Sequence, residues 1–274
     1  MFTIYGQSTV RIELGVCGPN VKKPRVLLTN DDGYRAEGLR ALADELKDCA
    51  EVQIVAPSWE RSGAAQSLTL RQPIVCHRMS ENEWAIDGTP ADCVIVALHQ
   101  LLAQPPDVVI SGINHGANLG ENLYYSGTVG AAREAVIHHL PGLAVSLCSK
   151  RVNADFAPSA RLARQTIELI LKEKLPAQVV LNINVPEKWL GGVKFTRQSK
   201  KITRTVLREG EDPRGERYFW LSEQRINRET ELDPESDYAA IFAGEVSVTP
   251  LHLDHTHAES LNHLSHWAEL LKRK

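Results

Sequence analysis

A repeated couplet limits this fold more than any other feature of the sequence. A short apolar run with no polar alternation is halted by a polar or proline residue, and apolar residues at helical spacing follow. Arg25–Thr29 (RVLLT) is the first run, and its composition predicts a strand buried on both faces. It stops at NDDG, after which Leu39, Leu42 and Leu46 share one helical stripe. Glu51–Ala56 (EVQIVA) is a second strand, closed by Pro57. A helix is expected over Asp92–Leu102, then a strand over Asp107–Ser111 (DVVIS). Val129–Leu140 reads as a helix, Leu143–Leu147 as a strand and Arg161–Lys172 as a helix. Val179–Val185 (VVLNINV) is a strand ended by Pro186. Strand–helix alternation of this kind predicts an α/β fold with a doubly wound, mostly parallel, Rossmann-like sheet.

Past about residue 195 the texture changes. Lys194–Arg208 and Arg217–Leu221 suggest a β-hairpin around the polar turn GEDPRGE. Glu229, Glu231, Asp233, Glu235 and Asp237 alternate at period two, the pattern of a solvated extended edge whose charges block strand pairing. Val246–Leu251 is a last strand. Leu261, Leu264, Trp267 and Leu271 then form an apolar stripe on a terminal helix. The expected division is an N-terminal extension (1–22), an α/β core carrying the chemistry (23–195), and a hairpin extension with a C-terminal oligomerisation segment (196–274).

Lysine plus arginine number 31 against 34 acids, a net charge of −3 that supplies no broad basic surface for a nucleic-acid polymer. Small phosphorylated ligands remain compatible with it. The five cysteines are scattered without a CxxC pair, so no disulfide framework is expected and a reducing cytoplasm is the default location. No apolar run approaches the roughly 18 residues of a membrane span. The N-terminus has no basic stretch followed by an apolar segment, so no secretory signal is expected.

In open α/β sheets, ligands bind beyond the carboxyl ends of the strands. Polar clusters follow the apolar runs at those ends: Asn30-Asp31-Asp32-Gly33, then Pro57 to Gly63, then Ser111 to Asn118. Adjacent carboxylates repel unless a cation or hydrogen-bond donors neutralise them. One reading makes Asp31 a helix cap and leaves Asp32 solvated. The other adds oxygens from Ser62 and Asn114, giving an all-oxygen set that suits Mg²⁺ or Mn²⁺ rather than Zn²⁺. The histidines between His252 and His266 match no standard metal spacing and read as surface or interface residues. Ser126, Gly127 and Thr128 precede a helix, where free N–H groups can cradle phosphate. An ordinary hydroxyl cap is the alternative there. Neither GxxxxGK[ST] nor GxGxxG occurs.

Taken together, LLTNDDG, VAPSWERSGAAQSLTL, IDGTPADCV, PDVVISGINHGANLG, YSGTVGAAREA and VSVTPLHLD resemble the SurE family of stationary-phase survival proteins. Those are divalent-metal-dependent 5′/3′-nucleotidases, and the motifs occur in family order over about residues 25–255. The resemblance implies one divalent cation per subunit, Mg²⁺ or Mn²⁺, on Asp31, Asp32, Ser62 and Asn114. It implies an active-site asparagine at Asn118, catalytic roles for Asp31 and Asp32, and phosphate binding by Asn118, Ser126, Gly127 and Thr128. It further implies hydrolysis of nucleoside 5′- and 3′-monophosphates, extending to polyphosphate, and a homodimer or homotetramer formed through an exchanged C-terminal segment. Residues 1–22 depart from the pattern, and His115 and His255 occupy positions that the family varies. Rival readings are a non-catalytic nucleotide sensor and an aspartyl-phosphate phosphatase. The second would need an acid two residues beyond its nucleophile, where Gly33 stands.

Overall fold

The computed structural model describes residues 22–200, 203–225 and 233–272; the expected extension 1–22 lies almost wholly outside them. β1 (Arg25–Thr29) leads to α1 (Glu37–Leu46), β2 (Glu51–Pro57), β3 (Cys76–Arg78) and β4 (Glu83–Ile86). α2 (Pro90–Val96) runs into a wide turn over Ala97–Leu101, then β5 (Val108–His115), a 3₁₀ segment (Gly120–Tyr124) and α3 (Gly127–Ile137). β6 (Gly142–Cys148), α4 (Ala157–Glu173), β7 (Val179–Pro186) and β8 (Val193–Phe195) follow. The chain then forms β9 (Thr203–Glu211), β10 (Arg217–Arg225), α5 (Asp237–Phe242), β11 (Val246–His252), α6 (Ala258–Leu264) and α7 (Trp267–Leu270).

The main sheet has the order β3-β4-β2-β1-β5-β6-β7-β11-β8. From β4 to β7 every pairing is parallel. Antiparallel pairs occur only towards the edges, β3 with β4 and β11 with β7. The chain winds outward from β1 through β2 to β4, returns to β5, and winds the other way through β6 to β7. The winding therefore reverses between β1 and β5, where their carboxyl ends part and leave a crevice. One face of the sheet is purely apolar: Leu28, Ile110, Val145 and Ile183 pack under Leu39 and Leu42 of α1 and Ala163 and Ile167 of α4. The α3 face also carries polar residues in its interior, among them Ser146, Asn182 and Asn184.

Four expectations need correction. Lys194 and its neighbours are not part of the hairpin; they form β8 in the main sheet, beside β11, while the hairpin begins at Thr203. The helix expected up to Leu102 is α-helical only to Val96, beyond which the turn widens. Of the alternating acids, Glu229 and Glu231 lie outside the described residues, and Asp237 is not solvated. It is fully buried at the first position of α5, accepting from Gly120 N–H at 2.7 Å and from the Ser199 hydroxyl at 2.6 Å. The single terminal helix is instead two short ones, α6 and α7, separated at Ser265 and His266.

The long loop after β2 is tied down by a helix cap. Thr89 and Asp92 form a reciprocal capping box at the start of α2, and Asp92 also accepts from Thr69 N–H at 3.0 Å. Thr89 Oγ1 donates to the Ser67 carbonyl at 2.7 Å. Asp92→Ala removes a cap and orphans a loop amide, so unfolding stability should fall by about 2 kcal/mol. Urea denaturation checks this, with Asp44→Ala, an exposed helix acid, as the near-neutral control.

Candidate functional site

β1 delivers Asp31 and Asp32 to the crevice, and their neighbours come from the loop after β2, the end of β5 and the start of α3. Asn30 shapes the turn by donating its side-chain amide to the Gly33 carbonyl at 2.9 Å. Arg61 N–H donates to the Asp31 carbonyl at 2.7 Å, which ties the loop carrying Ser62 to the end of β1. His115 N–H donates to Asp32 Oδ2 at 2.9 Å, which ties the end of β5 to the same turn. Between Ser111 and Asn114 the β5–β6 register slips. Gly112 makes the slip possible: its φ is +137°, and a Cβ there would lie 2.3 Å from the Val145 carbonyl oxygen. Irregularities of this kind re-aim side chains at strand ends, here that of Asn114.

α3 starts against Asp31. A Cβ on Gly127 would lie 2.9 Å from Asp31 Cβ, so only glycine allows the helix to begin this close. The Thr128 hydroxyl donates to Asp31 Oδ1 at 2.5 Å, and Asn118 Nδ2 lies 3.4 Å from Thr128 Oγ1. Ser126 is the N-cap, its Oγ accepting from Val129 N–H at 3.1 Å, so the hydroxyl proton remains available. The two readings of this segment thus coexist, since a hydroxyl that caps a helix can still donate to an anion. Thr128 differs: its proton is committed to Asp31.

Burial dominates the electrostatics. Asp31 is 5% exposed, and desolvation lifts its pKa to about 6; the Thr128 hydrogen bond opposes the rise and the Asp32 charge adds to it. Asp32 is also raised, first by burial and further by the Glu60 charge, against the restraining His115 N–H. Carboxylates whose charged forms are disfavoured in this way are poised to accept a cation or a proton.

The donor atoms fit a hard cation. Asp31 Oδ2 and Asp32 Oδ1 are not taken by the bonds described above. The Asn114 amide nitrogen donates to the Gly116 carbonyl at 2.8 Å, which leaves Oδ1 as its outward atom. The Ser62 hydroxyl is exposed and donates to Glu60 Oε1 at 2.7 Å, keeping its oxygen lone pairs. Among the described residues there is no cluster of three or more histidine, cysteine, aspartate or glutamate side chains suited to a metal. An oxygen set of two carboxylates, an amide and a hydroxyl is the hard-ligand alternative.

Sequence reasoning missed several partners. Glu60 adds negative charge beside Asp32 and holds Ser62. Asn182 and Asn184 on β7 clamp the backbone of Asn118. Two asparagines at period two inside an otherwise apolar strand were the available signal. The loop after β2 reaches α3 as well, through Gln66 Nε2 to Glu134 Oε2 at 2.8 Å and Ala65 N–H to the Tyr125 carbonyl at 3.1 Å.

Comparison with known proteins places these features in a family. Residues 26–205 match the family model described as "Survival protein SurE". A protein of Geotalea daltonii named 5′-nucleotidase SurE is 42% identical over 246 residues, covering 89% of this chain and 98% of that one. One of Vibrio parahaemolyticus with the same name is 43% identical over 252 residues, covering 90% and 96%. The crystal structure of the SurE protein from Aquifex aeolicus superposes with a TM-score of 0.78 at 36% identity, covering 89% of this chain and all of that one. This chain belongs to the SurE family.

Proposed function

We propose that this chain is a phosphomonoesterase that hydrolyses nucleoside 5′-monophosphates, and 3′-monophosphates by the same chemistry, to nucleoside and phosphate. The observation that carries the reading is the meeting of two desolvated carboxylates with the N-terminus of α3 at the switch point of the sheet. A phosphate monoester offers both partners such a site needs, an anion for the helix N-terminus and oxygens for a cation held by carboxylates. The name borne by the Geotalea and Vibrio relatives supports it. Residues 23–195 would carry this chemistry, while 196–274 serve assembly and lend β11 to the sheet.

Asp31, Asp32, Ser62 and Asn114 would hold one divalent cation, Mg²⁺ or Mn²⁺. When bound, such an ion supplies positive charge against the phosphoryl oxygens and acidifies a water. The Ser126 hydroxyl and the free amides at the start of α3 would hold the non-bridging oxygens as charge redistributes. Thr128 would act on Asp31, holding Oδ1 so that the other oxygen keeps its aim. Asp31 or Asp32 can receive the proton of the attacking water. An aspartyl-phosphate route lacks its acid, because the residue two beyond Asp31 is Gly33. Among the described residues no helix is long and apolar enough to cross a membrane. The histidines at 252, 255, 257, 263 and 266 are exposed, the first at the end of β11 and the others beyond it.

Assembly follows from what the fold leaves uncovered. Leu261, Trp267 and Leu271 are 64%, 51% and 77% exposed, and Trp220 and Leu221 on the hairpin are 70% and 71% exposed. Apolar surface of this extent is characteristic of an interface, and we assign the terminal segment and hairpin to a homodimer or homotetramer. Truncation after Asp254 should yield monomers or aggregates by light scattering; a full-length chain that is monomeric at micromolar concentration would contradict the assignment.

Phosphate release from AMP should require an added divalent cation and stop with EDTA. Asp32→Asn should lower it by at least about 10²-fold with unchanged melting, because one of two charges that hold the cation is gone. Activity within a few-fold of wild type would sink the metal assignment.

The elevated Asp31 pKa has a stability consequence in metal-free protein. Between the ordinary value of 3.8 and about 6, the native carboxyl keeps a proton that the unfolded chain has released. Stability from this group is therefore present at low pH and lost as pH rises through that window. Asp31→Asn, which is neutral throughout, should melt higher than wild type in EDTA at pH 7, with the difference closing near pH 4. Calorimetry across that range checks the sign.

A further inference from the structure

Asn118 is held more firmly than a loop residue requires. Its backbone N–H donates to Asn184 Oδ1 at 2.8 Å, and its carbonyl accepts from both Asn182 Nδ2 and Asn184 Nδ2 at 2.9 Å. Its side-chain nitrogen donates to Ser146 Oγ at 2.9 Å and reaches Thr128 Oγ1 at 3.4 Å. Thr128 spends its only proton on Asp31, so towards Asn118 it can only accept. That polarity settles which end of the Asn118 amide is nitrogen, and it engages both N–H bonds. The side-chain oxygen is what remains: among the described residues nothing donates to it.

We propose that Asn182 and Asn184 are positioning residues that lock Asn118 with its amide turned inward, so that the residue meets the reacting group as a hydrogen-bond acceptor. An acceptor engages an O–H, that of the attacking water or of the substrate sugar, and not a phosphate oxygen. This rests on the nucleotidase reading above.

A second, independent feature separates positioning from plain structure. Asn182 Oδ1 is buried with no hydrogen-bond partner. An unsatisfied buried carbonyl destabilises the fold, and an apolar residue of similar size would remove that penalty. Asn118 would still be bonded through Asn184. A side chain that weakens the fold yet aims the site is the pattern expected of functional residues.

The test is Asn182→Leu in the full-length chain, assayed on AMP with Mn²⁺ and by thermal melting. The expected result is kcat reduced about tenfold with KM within about twofold and melting unchanged or raised, since small misplacement of a positioned group costs rate more than binding. In an Asn118→Ala background the same change should cost nothing further, because residues acting through one another do not add. Asn184→Asp, which keeps the acceptor for Asn118 N–H but turns a second oxygen on its carbonyl, should also lose kcat, and again only when Asn118 is present. Unchanged kcat in Asn182→Leu, or an equal loss with and without Asn118, would overturn the proposal, as would a fall in melting that accounts for the lost activity. A wild-type chain that releases no phosphate with any cation would overturn the nucleotidase reading first, and this inference with it.

Discussion

Everything at the carboxyl edge of the sheet depends on placing two adjacent carboxylates where water is scarce. Burial alone would protonate them, and the rise of Asp31 to about 6 shows how far that tendency goes. What restrains it is a small number of aimed donors. Thr128 bonds one oxygen of Asp31 from the first turn of α3, and His115 N–H bonds one oxygen of Asp32 from the end of β5. Each donor occupies one oxygen and leaves the other. The glycine at 127 exists to let the helix come near enough to supply its share. Helix start and strand slip each bring a donor to a carboxylate that burial disfavours in its charged form, while the loop tether, Arg61 N–H on the Asp31 carbonyl, fixes the backbone between them.

The central architecture was legible because parallel strands buried on both faces leave an unambiguous signature, short apolar runs closed by polar residues or proline. Asp31 and Asp32 stood out for the same reason, as charges directly after such a run. Legibility failed where tertiary partners overrode a local pattern. Asp237 sits in a period-two row of acids, yet it is buried because Gly120 N–H and Ser199 donate to it. Lys194 and Phe195 look like the start of the hairpin, but pairing with β11 captures them for the sheet. No local rule could anticipate either, since both partners are distant in the chain. The roles of Ser126 and Thr128 were unresolved for a different reason: a hydroxyl before a helix caps it or serves a ligand, and only the direction of its proton decides.

The polar interior of the α3 face is the structural counterpart of that carboxylate pair. β7 alternates strictly, with Leu181, Ile183 and Val185 on the α1/α4 side and Asn182 and Asn184 on the other. A second set of hydroxyls continues the polar column outward, where Thr196 Oγ1 bonds those of Ser247 and Thr249, each at 2.8 Å. Packing alone would favour apolar residues here, as on the opposite face. Networks of this kind favour one arrangement, because a shifted alternative would strand several buried groups at once.

Not every buried polar group is satisfied. Asn30 Oδ1, Ser111 Oγ and Asn182 Oδ1 are buried without partners. Asn30 and Ser111 stand at the carboxyl ends of β1 and β5, beside the crevice, and Asn182 contacts the backbone of Asn118. Buried unpaired polar atoms cost stability wherever they occur, and these three lie at or next to residues assigned to the site. The apolar face under α1 and α4 supplies the compensating stability, with Leu28, Leu39, Leu42 and Ile110 wholly excluded from water. The two faces of one sheet thus divide the work, one holding the fold together and the other keeping charges and amides in arrangements that the fold alone would not choose.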